Sequence, residues 1–324
     1  MLLEISDLAI DLPSRAGPRR VVHDVSFSLA AGESLGVVGE SGSGKTMTAL
    51  ALMGLLPDGA VVSGAIRFEG RDLAGLDEAE MRKLRGDRIA MIFQEPMSAL
   101  NPLHRIGAQV AEALVLHRAM TKAAAWAEAV RLLDRVKLRD PERLARAYPF
   151  ALSGGERQRA MIAMALSCGP KLIIADEPTT ALDVTVQAKI LDLLASLGAQ
   201  SNMAMLLVSH DLAVIARHCR RVLVMYGGTL MESGPADAVL RRARHPYTRA
   251  LLEARPRPGA PRGERLRAIA GVAPTSAGAP IGCPFAGRCP LTLEICRTTA
   301  LPTIEFEADH RVRCHRVDAA GRLT

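Results

Sequence analysis

The sequence predicts an α/β protein whose core is a doubly wound sheet of mostly parallel strands. Three observations lead to this prediction. Short apolar runs of the length of buried strands recur along the chain, and segments with helical periodicity separate them. A glycine-rich loop follows one such run and leads directly into a helical segment. The N-terminal part instead alternates between apolar and polar side chains, so we expect an antiparallel β layer there.

The N-terminal elements begin with this alternation and are separated by turns. A stretch rich in Pro, Gly and Arg ends the first strand, and Ala31-Gly32-Glu33 forms a second, tight turn. A helix begins at Lys45 and is predicted to run to Leu56, where Pro57 ends it. The predicted strands of this part cover residues 2–12, 21–29, 34–38 and 64–70, the last as an edge strand.

The middle of the chain changes from strand-like to helical periodicity and back again. Residues 89–93 have the pattern of a buried strand, and residues 106–148 carry apolar side chains at helical spacing. We therefore predict a separate helical subdomain over about residues 106–150. Parallel-strand patterns return at residues 172–176, 204–208 and 222–226, with helices between them.

Composition predicts three parts along the chain. Residues 1–254 would form one large domain, and residues 255–263 would form a linker rich in Arg, Pro and Gly. Residues 264–324 would form a small Cys- and Pro-rich extension with little core of its own. The sequence shows no internal repeat.

The composition also limits the classes of function. The 324 residues are 49% hydrophobic and carry a formal net charge of +7. Such a charge suits nucleic acid or an anionic membrane face, although scattered basic residues equally describe a solvated surface. No apolar run approaches the ~18 residues of a spanning helix, and the start of the chain has no signal-peptide pattern. We therefore expect a cytoplasmic protein whose membrane role, if any, comes through partners.

A phosphate-binding loop is predicted between the third strand and the first helix. Residues 39–46 match G-x-x-x-x-G-K-T in the strand–loop–helix context that this motif requires. Backbone N–H groups would curl around a phosphate, with Lys45 reaching the β- and γ-phosphates and Thr46 ligating Mg²⁺. An ordinary glycine-rich turn is the alternative. The loop comprises Gly39, Glu40, Ser41, Gly42, Ser43, Gly44, Lys45 and Thr46.

Polar side chains end three of the predicted buried strands. Asp176 would direct its carboxylate at the metal, and Glu177 would orient and deprotonate the water that attacks the γ-phosphate. Gln94 would reach Mg²⁺ and the same water, whereas His210 would contact the γ-phosphate. Each has a structural alternative: strand-capping carboxylates, a solvated glutamine and a structural histidine.

A second anion site is predicted at Ser153-Gly154-Gly155, which opens a helix over residues 156–166. Serine is a favourable N-cap, and exposed amides at a helix N-terminus attract anions. An ordinary helix cap is the alternative. In a protein that already holds a nucleotide, such a second site would suit a nucleotide sandwiched between two copies.

Four of the six cysteines crowd the last part of the chain with the spacing C-x5-C-x6-C-x17-C. In a reducing compartment such a cluster indicates a metal before disulfides. The spacing lacks the paired C-x2–4-C knuckles of structural zinc sites and is not a bacterial ferredoxin pattern. Unligated buried thiols remain an alternative. The four are Cys283, Cys289, Cys296 and Cys314.

Together these motifs resemble the ATP-binding subunits of oligopeptide, dipeptide and nickel ABC importers. The resemblance covers about residues 2–316. Its general motifs are the phosphate loop, Gln94, residues 153–156, 176–177 and 181–183, and His210. Segments more specific to this family are residues 93–102, 148–159, 176–187 and 245–248, together with the Cys-rich extension.

The resemblance implies an ABC ATPase nucleotide-binding domain that hydrolyses ATP to drive solute uptake. It implies that Lys45, Thr46 and Asp176 hold Mg-ATP, that Glu177 is the general base and that His210 senses the γ-phosphate. Asp183 belongs to the same nucleotide-binding set.

The resemblance also implies partners. Ser153, Gly154 and Gly155 would reach the ATP of a second cassette, which is expected to be a homologous subunit. Gln94 and the helical subdomain would meet two permease subunits, and an extracytoplasmic solute-binding protein would deliver the solute. No nucleic-acid partner is implied, and the chain would lie peripherally on the cytoplasmic face of the cell membrane.

For the four cysteines, the resemblance favours a 4Fe–4S cluster over Zn²⁺, with His310 or His315 as substitute ligands. The cysteine site is expected to lie beyond the linker and away from the ATP motifs. One departure concerns adenine: many cassettes stack it on an aromatic side chain near residues 16–20, where this chain has Arg19 and Arg20. An arginine plane would have to replace that ring.

Two other classes of protein compete with this interpretation. A cassette ATPase acting on DNA or ribosomes would agree with the basic charge, but such proteins usually carry a long coiled-coil insert or two cassettes. A P-loop kinase or GTPase disagrees with the Ser-Gly-Gly motif and would need an Asn-Lys-x-Asp motif, which the sequence lacks. The sequence does not distinguish peptides from nickel chelates or other small solutes.

Overall fold

The computed structural model describes residues 1–95, 99–179, 182–255, 268–272, 281–307 and 309–324. Apart from Arg255, the predicted linker lies outside the described residues. The chain divides into two compact units. The first unit comprises Met1–Leu2, Leu29–Ser34 and Gly75–Val208, and the second comprises Leu3–Ser28, Leu35–Ala74 and Ser209–Thr324.

The strands of the described residues are β1 (Leu3–Leu12), β2 (Arg19–Leu29), β3 (Ser34–Val38), β4 (Val61–Phe68), β5 (Arg71–Asp72), β6 (Ile89–Ile92), β7 (Leu172–Asp176), β8 (Ala204–Ser209), β9 (Arg221–Tyr226), β10 (Thr229–Pro235), β11 (Thr303–Glu307) and β12 (His310–Arg313). The helices are α1 (Lys45–Leu52), α2 (Glu78–Leu84), α3 (Ile106–Arg118), α4 (Lys122–Arg135), α5 (Pro141–Arg146), α6 (Gly154–Leu166), α7 (Val184–Ser201), α8 (Leu212–His218), α9 (Ala236–Arg241), α10 (Pro246–Glu253) and α11 (Ile295–Thr298).

The first unit contains a parallel sheet in the order β8-β7-β6. Every residue of these three strands is buried, which explains their continuous apolar sequence. Because parallel strands end at the same edge, the carboxyl ends of β6 and β7 carry Gln94 and Asp176 to one side of the sheet. This arrangement agrees with the predicted parallel core.

The helical segment of the first unit consists of α3, α4 and α5. Apolar residues spaced three and four apart face inward, including Ile106, Val110 and Leu114 on α3. Gly107 provides close packing, because a Cβ there would lie 2.9 Å from the Trp126 ring. Among the described residues, no helix is both long and apolar enough to span a membrane.

The second unit contains a sheet in the order β5-β4-β1-β2-β10-β9-β3. Strands β1 and β4 pair antiparallel, as do β9 and β10, whereas β3 and β9 pair parallel. The predicted antiparallel layer is therefore present. The predicted edge position of residues 64–70 is wrong, because the chain reverses at Gly70 (φ +80°) and adds β5 beyond β4.

Helix α1 is shorter than predicted. It ends at Leu52 rather than Leu56, because Gly54 adopts a left-handed conformation with φ +59°. The N–H of Gly54 donates to Ala51 O at 3.1 Å and that of Leu55 to Leu50 O at 3.0 Å, the pattern of a Schellman motif. Gly54 therefore ends helix α1 before Pro57 is reached.

The C-terminal segment of the second unit extends the sheet. Strand β12 pairs antiparallel with β10, and β11 pairs with β12. The buried carboxylate of Glu232 joins them: it lies 2.9 Å from His310 Nε2 and accepts hydrogen bonds from the N–H groups of Arg244 and His245. The sequence did not predict β10, β11 or β12.

Candidate functional site: a nucleotide-binding loop and a pair of strand-end carboxylates

The predicted phosphate loop connects β3 to α1 in the second unit. Gly39 lies so close to the Met225 carbonyl oxygen that a Cβ would overlap it, and Gly44 has φ +97° directly before α1. Helix α1 has no side-chain N-cap and no acidic residue in its first turn. Its N-terminal amides are therefore suited to a phosphate, which would supply the acceptors that a capping side chain usually provides.

Lys45 is held inside this loop. Its Nζ donates to Gly39 O at 2.8 Å, Glu40 O at 2.9 Å and Ser43 Oγ at 3.3 Å, and the residue is only 6% exposed. Thr46, the predicted Mg²⁺ ligand, is exposed. The Lys45 ammonium thus lies at the centre of the loop. A bound phosphate oxygen would replace the backbone carbonyls as its hydrogen-bond partner.

The loop also contacts residues that the sequence did not single out. The Glu40 N–H donates to the Tyr247 hydroxyl at 2.9 Å, and the Glu40 carboxylate pairs with Arg288 at 2.6 Å. Arg288 is the neighbour of Cys289, so the expectation that the cysteine site lies away from the ATP motifs is wrong. The interaction is invisible to local patterns because Arg288 lies 248 positions from Glu40.

In the first unit, the structure brings together Gln94 and Glu177. Gln94 Nε2 donates to Glu177 Oε2 at 3.4 Å. Asp176 is 3% exposed at the end of β7, and the Glu177 N–H donates to Val208 O at 3.0 Å. Glu177 has φ +45°, a left-handed conformation that is rare for a glutamate and common at functional sites. The backbone conformation therefore determines the direction in which the Glu177 side chain leaves the main chain.

Ser153 is the N-cap of α6, as predicted, within a capping box. Its N–H and Oγ each donate to Glu156 Oε2 at 2.8 Å, and these hydrogen bonds hold the pKa of Glu156 below its usual value. Ser153 and Gly154 are exposed, so an anion from outside the chain can approach the α6 N-terminus. Asp183 is the N-cap of α7, and its carboxylate accepts a hydrogen bond from the Val186 N–H at 2.9 Å.

The remaining predicted nucleotide contacts lie in the second unit. His210 is exposed and directly precedes Asp211, the N-cap of α8. Of the two arginines considered for adenine, Arg20 forms a bidentate pair with Asp11, at 2.8 and 3.0 Å, which lowers the pKa of that carboxyl. Arg19 is exposed at the start of β2.

The four C-terminal cysteines lie near one another. Burial raises the pKa of Cys283 to about 12, and repulsion from the other three sulfurs in their ionised form adds to this shift. Burial likewise raises the pKa of Cys314 to about 11, although the Arg316 N–H donates to its sulfur at 3.3 Å. Within the described residues, however, no three His, Cys, Asp or Glu side chains are gathered closely enough to hold a metal ion.

Two family models match the chain. One, described as "ABC transporter", covers residues 22–180, and the other, "Oligopeptide/dipeptide transporter, C-terminal region", covers residues 231–296. A dimeric ATP-binding cassette in a post-hydrolysis state with ADP and phosphate aligns with a TM-score of 0.65 and 28% identity, over 72% of this chain and 98% of that chain. The fold and the motifs thus define an ATP-binding-cassette ATPase.

Relatives define the family further. The chain is 49% identical over 315 residues to the oligopeptide transport ATP-binding protein OppD of Escherichia coli K12, covering 97% of this chain and 93% of that protein. It is also 49% identical over 313 residues to the oligopeptide transport ATP-binding protein OppD of Salmonella typhimurium LT2, covering 97% of this chain and 92% of that protein. The chain belongs to the family of ATP-binding proteins of peptide ABC transporters.

Proposed function

We propose that this chain hydrolyses ATP to power the import of di- and oligopeptides through partner permeases. The observation that carries the proposal is the 49% identity to OppD across 97% of the chain, including the C-terminal region whose family model names oligopeptide and dipeptide transporters. The phosphate loop and the Gln94–Glu177 pair supply the chemistry for hydrolysis. The chain itself would do no chemistry on the peptide.

The proposed division of roles follows the chemistry of each side chain. Lys45 would bind the β- and γ-phosphates, and Thr46, Asp176 and Gln94 would be the residues that hold Mg²⁺. Mg²⁺ neutralises charge on the phosphates when it is bound. Glu177 accepts a proton from the attacking water, while Gln94, already hydrogen-bonded to that carboxylate, restricts its rotation. His210 contacts the γ-phosphate.

The proposed assembly pairs this chain with a second ATPase subunit, two permeases and a solute-binding protein. The exposed Ser153–Gly154 cap supports the pairing, since an anion site open to solvent can serve the nucleotide of another chain. Large apolar side chains exposed near and on the helical subdomain support its docking on the permeases: Leu103 is 80% exposed, Leu116 71% and Phe150 69%. A homologous partner is proposed over an identical copy.

The test of substrate class is transport by the full assembly in vesicles. The tagged chain is purified with its partners from the native membrane and reconstituted with the solute-binding protein. Dipeptides and longer peptides are expected to stimulate ATP hydrolysis and to accumulate inside the vesicles, whereas nickel chelates do neither. Stimulation by nickel alone would assign a different solute to the same machinery.

We predict that the isolated chain remains in solution with protein-free vesicles and binds membranes only when the permeases are present. Scattered basic residues give little attraction at physiological salt, where charges are screened within about 8 Å. The measurement is co-sedimentation with anionic vesicles, with and without reconstituted permeases, and with DNA as a parallel ligand. Tight binding to bare vesicles or to DNA at that salt would contradict the proposed location and partners.

A 4Fe–4S cluster held by Cys283, Cys289, Cys296 and Cys314 is proposed, with Zn²⁺ as the second candidate. The donor chemistry supports it: four thiols lie near one another, and a backbone N–H donates to the Cys314 sulfur, as occurs around such clusters. The thiols are not gathered as ligands in this structure, so binding would have to draw them together. The cluster would cross-link the small C-terminal extension and so stabilise it.

We therefore predict that anaerobically purified protein is brown, with broad absorbance near roughly 400 nm and about four irons per chain. Cys289→Ser should lose the iron and loosen the C-terminal segment. Cys168→Ser is the matched control, since Cys168 is a buried thiol outside this group. Colourless protein with stoichiometric zinc, or with no metal, would disprove the iron–sulfur proposal.

A further inference from the structure

The guanidinium of Arg288 is fully engaged in the second unit. It donates to both carboxylate oxygens of Glu40, at 2.6 and 3.2 Å. It also donates to the Tyr226 hydroxyl at 3.0 Å, and to the backbone carbonyls of Ile269 and Ala270 at 3.1 and 2.8 Å. These interactions use all five N–H donors of an arginine. The hydrogen bond to Glu40 raises the pKa of the Arg288 guanidinium above its usual value.

Aromatic packing holds the backbone around Arg288 in place. Phe285 is 1% exposed, and its ring lies 5.2 Å from that of Tyr226 and 5.3 Å from that of Tyr247. The Arg288 N–H donates to Phe285 O at 2.9 Å. Tyr247 in turn presents its hydroxyl to the phosphate loop. The packed aromatic cluster therefore fixes the backbone from which the Arg288 side chain reaches Glu40.

Glu40 is held at three points. Its N–H donates to Tyr247, its carbonyl accepts from Lys45 Nζ at 2.9 Å, and its carboxylate pairs with Arg288. The peptide unit after Gly39 thus has one orientation before nucleotide arrives. Preorganised loops bind more tightly because less ordering remains to be done on binding.

We propose that Arg288 is a positioning residue for the phosphate loop, which makes the C-terminal segment a working part of the ATP site. Glu40 places a negative charge inside a loop that must receive a triphosphate, and like charges at close range repel. Arg288 neutralises the Glu40 carboxylate and fixes the orientation of that side chain. Both effects act on nucleotide binding and not on the attack of water, so they change affinity and KM more than kcat.

The test is nucleotide affinity of the full-length chain, measured with a non-hydrolysed ATP analogue and Mg²⁺. Arg288→Gln is expected to weaken binding at least about tenfold, because it leaves the Glu40 carboxylate uncompensated. Adding Glu40→Gln to this variant removes that carboxylate and should restore most of the lost affinity. In the reconstituted assembly, the Arg288→Gln defect should appear as a raised KM for ATP with kcat nearly unchanged.

Arg311→Gln is the matched control, because it breaks an exposed ion pair with Glu305 in the same segment without contacting the loop; wild-type affinity is expected. Wild-type affinity in Arg288→Gln, or a double variant no better than the single one, would overturn the proposal. If Arg288→Gln does not fold, Arg288→Lys replaces it, with a several-fold loss that Glu40→Gln relieves.

The proposal rests on the proposed function, in which the loop binds ATP. The Lys45→Ala variant tests whether the loop binds nucleotide separately from whether Arg288 positions it. This variant is expected to lose nucleotide. If it bound nucleotide as well as the wild-type chain does, the proposed function would fail independently of Arg288.

Discussion

Replacing Glu177 with Gln is expected to slow ATP hydrolysis at least about a hundredfold while Mg-ATP binding is retained. The amide keeps the shape of the side chain and can still contact Gln94, but it cannot accept a proton from water. Because the substitution preserves the side-chain shape, we expect the left-handed backbone conformation at this position, φ +45° in the wild type, to be retained. Steady-state ATPase rates of the reconstituted assembly and equilibrium binding by the isolated chain measure the two halves of the prediction.

Glu305→Gln provides the control for this prediction. It also converts an exposed carboxylate to an amide, but among the described residues Glu305 pairs with Arg311 on the β11–β12 hairpin and not with the site, so the ATPase rate should not change. A Glu177→Gln rate near that of the wild type would refute the role of Glu177 as general base.

Replacing Ser153 with Arg is expected to leave ATP binding by the isolated chain intact and to reduce hydrolysis by the assembly roughly tenfold or more. The long cationic side chain would occupy the exposed α6 N-terminus that is proposed to receive the partner's nucleotide. The loss of the cap itself costs about 1 kcal/mol of stability. Binding to the isolated chain and turnover by the assembly are measured side by side.

Thr121→Arg is the control that distinguishes the effect of losing a helix cap from the effect of blocking the site proposed for the partner's nucleotide. Thr121 caps α4 in the same unit, accepting from Ala124 N, so this variant removes a comparable cap elsewhere. It should lower stability similarly but leave hydrolysis near the wild-type rate. If Ser153→Arg instead abolished binding by the isolated chain, the assignment of Ser153 to the partner's nucleotide would be wrong.

Much of the fold was predictable from short stretches of sequence. Strands β3 and β7 match their predicted ranges, because each is a continuous apolar run bounded by turn residues. Helix α6 begins at the predicted Ser153 cap, since a Ser with Glu three residues later satisfies the first amides locally. Strand β10 and the β11–β12 hairpin were not predicted, although β10 pairs with the preceding strand β9 and β11 with the following strand β12. No local pattern shows the pairing of β12 with β10, which joins distant parts of the sequence.

The sequence by itself therefore determined the chemistry of the site: the glycine-rich loop, the strand-end carboxylates and the capped helix are encoded by neighbouring residues and short-range hydrogen bonds. Only the tertiary structure decided what surrounds that chemistry. It placed Arg288 against Glu40 across 248 positions and paired Arg20 with Asp11, leaving Arg19 exposed. The reason is physical: an ion pair depends on distance in space, and that distance is set by the packing of Phe285, Tyr226 and Tyr247 rather than by any local pattern.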